Sequence, residues 1–405
     1  MRKRLLIMLL ALALCSSGAF AAEPPEAGGE TGPNVREDAE GTLSFGNLER
    51  RIRENNASVK ALDETISAVA VLDYDKMYDD LRDALNQIAS AQWTMTILGA
   101  GDSYTHDSLS QSYASLEDSF EDLKDGKLQD DNEGIMRQME NAQNQTVVAA
   151  ETLYVSLLEM ENNRSSLEDA LTALDRTVEE MELRYQRGQI SALQLEQTRS
   201  GRTQLQSSLD TLNTNIGIYT AQMENLVGLE PTGTLQLAEV DAVSQAQIDA
   251  MSYDADLASA KEKSYTLYDA AESLEDARDN YQDAVQTYGS NEKRYEFVSA
   301  QHTWQAAQYT YQAAIRSFEL EFRSAYDRVG DYRQVLSAAE TALDLAKDTY
   351  AAQETKYRQG NLPQNKLLDA QDELHKAEAA VLTARHNLFT AYRTYWWAVE
   401  YGVLN

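Results

Sequence analysis

The chain has 405 residues, with five prolines, 19 glycines and a single cysteine. Abundant Ala, Leu, Glu, Asp and Gln with so few chain breakers point to long helices and argue against strand-rich and α/β folds. With 66 acidic against 35 basic residues and a formal net charge of −31, the surface repels phosphate backbones and anionic lipid, which excludes nucleic acid as a partner.

Arg2, Lys3 and Arg4 precede an apolar run from Leu5 to Leu14 and then Ala19-Phe20-Ala21, the plan of a secretory signal peptide over residues 1–21 with a mature chain from Ala22. Cys15 could instead be lipidated, but Leu14 stands where a small residue is expected. Cleavage after Ala21 removes the only thiol, and with it disulfides and cysteine-based metal sites. Residues 22–42 hold three of the prolines and read as a disordered leader. No later stretch reads as a transmembrane helix.

From Leu43 the apolar residues fall in steps of three and four. Met77, Leu81, Ala84, Ile88, Ala91, Met95 and Leu98 make one side of a helix that ends at Gly99 and Gly101. The next segment, 99–134, reads as an acidic amphipathic helix, with "TMTILGA" at 94–100 the one strand-like piece nearby.

Further on the chain repeats itself. "YQRGQIS" at 185–191 returns as "YRQGNLP" at 357–363, and the same shift of 172 maps Ala150, Leu153, Leu157, Leu167 and Leu171 onto Phe322, Ala325, Val329, Ala339 and Leu343. Past the breaks it maps Leu205, Leu209, Leu212 and Ile216 onto Ala377, Val381, Ala384 and Leu388. A spacing of four and three averages 3.5 residues per turn, the coiled-coil period. Each repeat is therefore a long arm, a sharp turn and a returning arm. Gly188 can take the left-handed conformation that ends a helix, Ser191 with Gln194 fits a capping box, and Asn361 with Pro363 can start the second return. The spans are a first repeat at 43–227, a linker at 228–253 and a second repeat at 254–405. Arms 254–288 and 363–400, stacked end to end, match the long arm 291–357, so "GLEPTGTL" at 228–235, the linker and the C-terminus meet near mid-length. The fold class is all-α, with little or no β.

In the order of "NNASVKAL" at 55–62, the two tips, "NLVGLEP" and "LLDAQDEL", the sequence resembles the TolC family of outer-membrane efflux proteins over about residues 43–400. The resemblance implies a homotrimeric α-barrel in the cell envelope, a passive duct of an efflux or type I secretion-like system. It would dock an extracytoplasmic adaptor protein and an inner-membrane transporter. By position it nominates Tyr185, Gly188, Ile190 and Ser191 in one tip and Tyr357, Gly360 and Leu362 in the other. Pro363 replaces the serine in the second. Family members that cross the outer membrane carry strand pairs opposite the tips. Here the second repeat has only "GSN" and the first an acidic helix, so a membrane barrel is expected to be missing.

Leu382, Phe389, Tyr392, Trp396 and Val399 form a second apolar stripe beside the one through Leu388 and Tyr395. A helix in a closed ring touches neighbours on both sides, which makes Phe389, Tyr392 and Trp396 candidates for an oligomer seam. His106, His302, His375 and His386 lack the spacing that places two metal ligands on one helical face. Glu179, Glu180, Asp372 and Glu373 lie near the tips, where carboxylates solvate an outer face or line a cation-selective constriction. No cofactor motif and no catalytic constellation stands out. The alternative to a duct is a structural coiled-coil scaffold without a lumen.

Overall fold

The longest heptad patterns become the longest helices. In a computed structural model that describes residues 38–98 and 104–404, α5 (Lys127–Gln186) runs 60 residues and α10 (Tyr295–Arg358) runs 64, about 90 and 95 Å at 1.5 Å per residue. Their returning partners are α6 (Ala192–Leu226) and α11 (Gln364–Tyr401). The signal peptide, Cys15, the leader up to residue 37, and Gly99 and Gly101 lie outside the described residues.

Ahead of the first long arm come β1 (Thr42–Leu43), α1 (Phe45–Asn55), α2 (Ala57–Ala70), α3 (Tyr74–Ile97) and α4 (Tyr104–Lys124). The described part of the acidic segment, 104–134, is helical as expected, supplying α4 and the first turns of α5. "TMTI" is no strand but the last turn of α3, where heptad spacing and the helix before it outweigh local β propensity. β2 (Gln236–Leu237) pairs in parallel with β1, Thr42 opposite Gln236, and among the described residues these are the only strands. No described helix is long and apolar enough to cross a membrane.

The arm expected at 254–288 is broken. After the short α7 (Gln245–Asp249), α8 (Tyr253–Lys263) stops at Ser264 and α9 (Tyr265–Tyr288) restarts with the Ser264 hydroxyl accepting from the Leu267 N–H. The cause is the end of α11. Gly402 has a left-handed φ of +65°, and a Cβ there would stand 2.4 Å from the Ser264 nitrogen. Instead of stacking end to end, α8 overlaps the last turns of α11: the Ser259 hydroxyl donates to the Val399 carbonyl and the Tyr395 hydroxyl to Asp256. The first repeat ends the same way. Gly228, at φ +74°, would bring a Cβ to 2.6 Å from that of Asn55. Beside it Asn56 breaks α1 from α2, capping α2 through Ser58 and Val59 and donating its Nδ2 to the Leu226 carbonyl.

These two joints lie in the core. Leu48, Ile52, Val59, Val147, Tyr154 and Met223 pack around the first, and Ala260, Leu267, Phe318, Phe322, Leu388 and Tyr395 around the second. Beyond Leu158 on α5 and Val329 on α10 neither long helix buries another side chain toward its tip, so the chain is tight at mid-length and loose at the tips.

The linker is held by one carboxylate. Buried Glu224 accepts from the backbone N–H groups of Gly233 at 2.6 Å and of Thr234 and Leu235 at 2.9 Å, and from the Thr232 hydroxyl at 3.0 Å. Burial opposes the charge, but the four donors outweigh it and hold the carboxyl below its ordinary range. A depressed folded value stabilises above the unfolded pKa and loses that contribution as pH falls through the folded one. Glu224→Gln is expected to cost about 2–3 kcal/mol at neutral pH, the scale of hydrogen bonds to a charged group, and to flatten the acid limb of the stability curve. Urea unfolding of both proteins between neutral and acidic pH checks it; equal acid slopes would assign the linker's stability elsewhere.

Candidate functional site

Both hairpins turn by the same backbone route. In the first tip the Gly188 N–H donates to the Tyr185 carbonyl at 2.8 Å and the Gln189 N–H to the Arg184 carbonyl at 2.9 Å; in the second, Gly360 donates to Tyr357 and Asn361 to Lys356, both at 2.9 Å. This paired pattern closes a helix whose next residue is left-handed, and Gly188 and Gly360 have φ of +68° and +73°. The restarts differ. Ser191 and Gln194 form the full capping box, whereas Pro363 starts α11 without a side-chain cap.

Tyr185 and Tyr357 are exposed, Ser191 is exposed, and Ile190 and Leu362 are half-buried just past the turns. The first tip also exposes Leu183 and Leu193, which the heptad analysis missed because both lie off the seam. Their counterparts at a shift of 172 are Thr355 and Asn365. One tip therefore offers an apolar surface and the other a polar one.

Between the hairpins, α5 lies against α11 through a ladder of polar pairs. Nearest the tips Arg176 grips both Asp372 oxygens, at 2.8 and 2.5 Å. Asp169 follows, 3.2 Å from His375 Nδ1. Asn162 Nδ2 donates to the Ala379 carbonyl and the Thr383 hydroxyl, both at 3.1 Å. His386, 2% exposed, has Glu159 at 2.9 Å from Nδ1 and Glu239 of the linker at 3.2 Å from Nε2. At the core end, Arg393 and the Trp397 indole N–H both donate to buried Glu151, at 2.9 Å to the same oxygen. No heptad reading reveals such pairs, since each partner lies on a different element more than a hundred residues away.

The expected seam residues have partners within the same chain. Phe389 is buried edge-on against Phe45 at 4.7 Å. Trp396 is half-buried beneath the Arg393 guanidinium at 4.0 Å, and Tyr392 is half-buried beside Tyr395. Of the acidic groups near the tips, Glu180 pairs with Arg184, Asp372 with Arg176 and Glu373 with Lys376. Among the described residues no group of three or more His, Cys, Asp or Glu could hold a metal ion.

No family model and no curated protein matches the chain by sequence. Among solved structures it is similar to the outer-membrane channel OprN, at a TM-score of 0.58 and 12% identity over 88% of this chain and 89% of that one. It is also similar to a membrane protein from Pseudomonas aeruginosa, at 0.53 and 12% over 95% of this chain and 99% of that one. The fold is that of the TolC-family channels, and the described residues are predominantly helical.

Proposed function

We propose that the protein is the subunit of a ring-shaped duct in a cell envelope, associated with an outer membrane, and that it conducts solutes passively for an efflux or type I secretion-like system. Its hairpin tips dock an extracytoplasmic adaptor that couples it to an inner-membrane transporter. The observation that carries this reading is the order of helices across the protomer: α6, α5, α11, α10 lie side by side, with α9 also packed on α10, α5 and α11 joined by the polar ladder, and α6 and α10 as the outer members of the row.

Both helices expose large apolar side chains. Leu193 and Ile218 on α6 and Tyr309, Leu320 and Leu345 on α10 are all more than half exposed. Contact of one copy's α6 with the next copy's α10 is heterologous and repeats until a ring closes; the fold likeness makes three the expected number.

Ile218→Glu combined with Leu320→Glu places a charge on each edge and leaves the core intact. The wild type is expected to sediment as a closed oligomer and the double variant as a monomer of unchanged helicity. A wild type that stays monomeric at all concentrations would replace the duct by a scaffold without a lumen.

A further inference from the structure

In the tight mid-length region, α5, α10 and α11 enclose a cavity of about 110 Å³ with the start of α1. Its floor is apolar and closed, because Val155, Phe389, Trp397 and Val403 are all buried. Phe45 and Val148, half-buried, extend it. An apolar cavity of ~150 Å³ takes up a benzene molecule, so this smaller space accepts one ring whose substituents stay in the mouth.

The polar part of the lining is one-sided. Arg328 of α10 stands exposed at the rim and makes no ion pair or side-chain hydrogen bond among the described residues. Asp327, beside it on the same helix, pairs with Arg323 instead. Arg393, the other guanidinium in the lining, is already neutralised by Glu151 at 2.9 Å. The hydroxyls of Thr152, Thr390 and Thr394 each donate to the carbonyl four residues earlier, all at 2.9 Å. A hydroxyl has a single proton, so what these three have left to offer the cavity is lone pairs.

We propose that the cavity binds a small phenolic carboxylate. The ring lies on the apolar floor, the carboxylate pairs with Arg328 and the phenol donates to a threonine oxygen. A planar guanidinium takes a carboxylate through two parallel bonds, and Arg328 is the one unneutralised charge in the lining. A cationic ring would meet it with like charge, and an uncharged one would leave it unpaired. A carboxylate without a donor would leave the threonine lone pairs unmatched. The chain as a whole, at −31, repels anions, so an acid held here is selected by the guanidinium and not by the overall field. A carboxylate side chain of a second copy would meet Arg328 but leave the floor empty, which favours a free ligand over a neighbour.

Calorimetric titration of the purified oligomer with 4-hydroxybenzoate tests this, with benzoate and 4-hydroxybenzyl alcohol titrated alongside. The wild type is expected to bind one 4-hydroxybenzoate per chain and to bind each of the others at least fivefold more weakly. Arg328→Gln is expected to lower the affinity for 4-hydroxybenzoate at least tenfold, the scale of a lost hydrogen bond to a charged group, and to leave the alcohol as it was. Ring mass and melting temperature should not change, since the side chain is exposed and unpaired. A wild type without saturable heat, an Arg328→Gln protein that binds like the wild type, or an alcohol or benzoate bound as tightly as 4-hydroxybenzoate would overturn the inference. So would a variant that loses ring mass, because the guanidinium would then pair with another copy. The whole lining belongs to one chain, so binding is expected of monomer and ring alike, and its failure leaves the duct reading standing.

Discussion

Glutamate at both Ile190 and Leu362 is expected to abolish adaptor capture and export while leaving helicity and ring mass as in the wild type. The two side chains stand immediately past the tip glycines, half-buried, and belong to no seam. The backbone bonds that make the turns and the Ser191 capping box do not involve them, so the turns persist. A buried apolar anchor at a docking surface contributes on the order of 2–4 kcal/mol, and a carboxylate in its place must also be desolvated. Losing two anchors per subunit therefore corresponds to a fall in affinity of more than about a hundredfold. The tips should not respond alike: Tyr185→Ala with Leu193→Ala removes an apolar surface, and Tyr357→Ala alone leaves a polar tip with most of its contacts. Co-purification and an export assay on the three variants decide it. If the double glutamate variant captures adaptor and transports normally, the tips are only turns.

Gly402→Ala is expected to be the most destabilising single methyl in the chain. The added carbon would meet the backbone of Lys263 and Ser264 at 2.4–2.5 Å, in a conformation that L residues avoid. A left-handed alanine costs about 1–2 kcal/mol and forced overpacking about 1–3 more, which sums to about 2–5 kcal/mol. Gly228→Ala, pressed against Asn55, should approach it. Gly188→Ala and Gly360→Ala share the positive φ but meet nothing within 4 Å, so they should carry only the first cost. Thermal unfolding of the four variants separates the two contributions. A Gly402→Ala protein that melts with Gly188→Ala would show that the joint yields without strain.

How much of this was legible in sequence depended on the range of the interaction. Period and turn chemistry are local, so the two hairpins, the tip glycines, the Ser191 box and the helical acidic segment were readable from residues a few positions apart. The break at Ser264 was not, because Lys263-Ser264-Tyr265 contains no chain breaker; the helix is interrupted by Gly402, 138 positions later. Glu224 and Glu151 look like any surface carboxylate on a helix until the loop or helix that satisfies them is in place. Phe389 was readable as part of a second apolar stripe and a candidate oligomer seam, but the stripe alone does not reveal its neighbour in the same chain, Phe45.

The polar ladder between α5 and α11 divides into a more exposed half toward the tips and a more buried end at the core. Arg176 and Asp372 near the tips keep 31% and 24% of their side chains in solvent, His375 and Asp169 keep 38% and 44%, and Arg393 and Glu151 at the core end only 20% and 7%. Salt weakens exposed pairs and scarcely touches buried ones. Rising ionic strength therefore frays the two hairpins like a zipper opened from one end, with the Glu151 rung as its stop. The tips then gain freedom to splay independently while the joints at Gly228 and Gly402 keep their register, and protease sensitivity should advance from residue 190 toward residue 160 as salt increases.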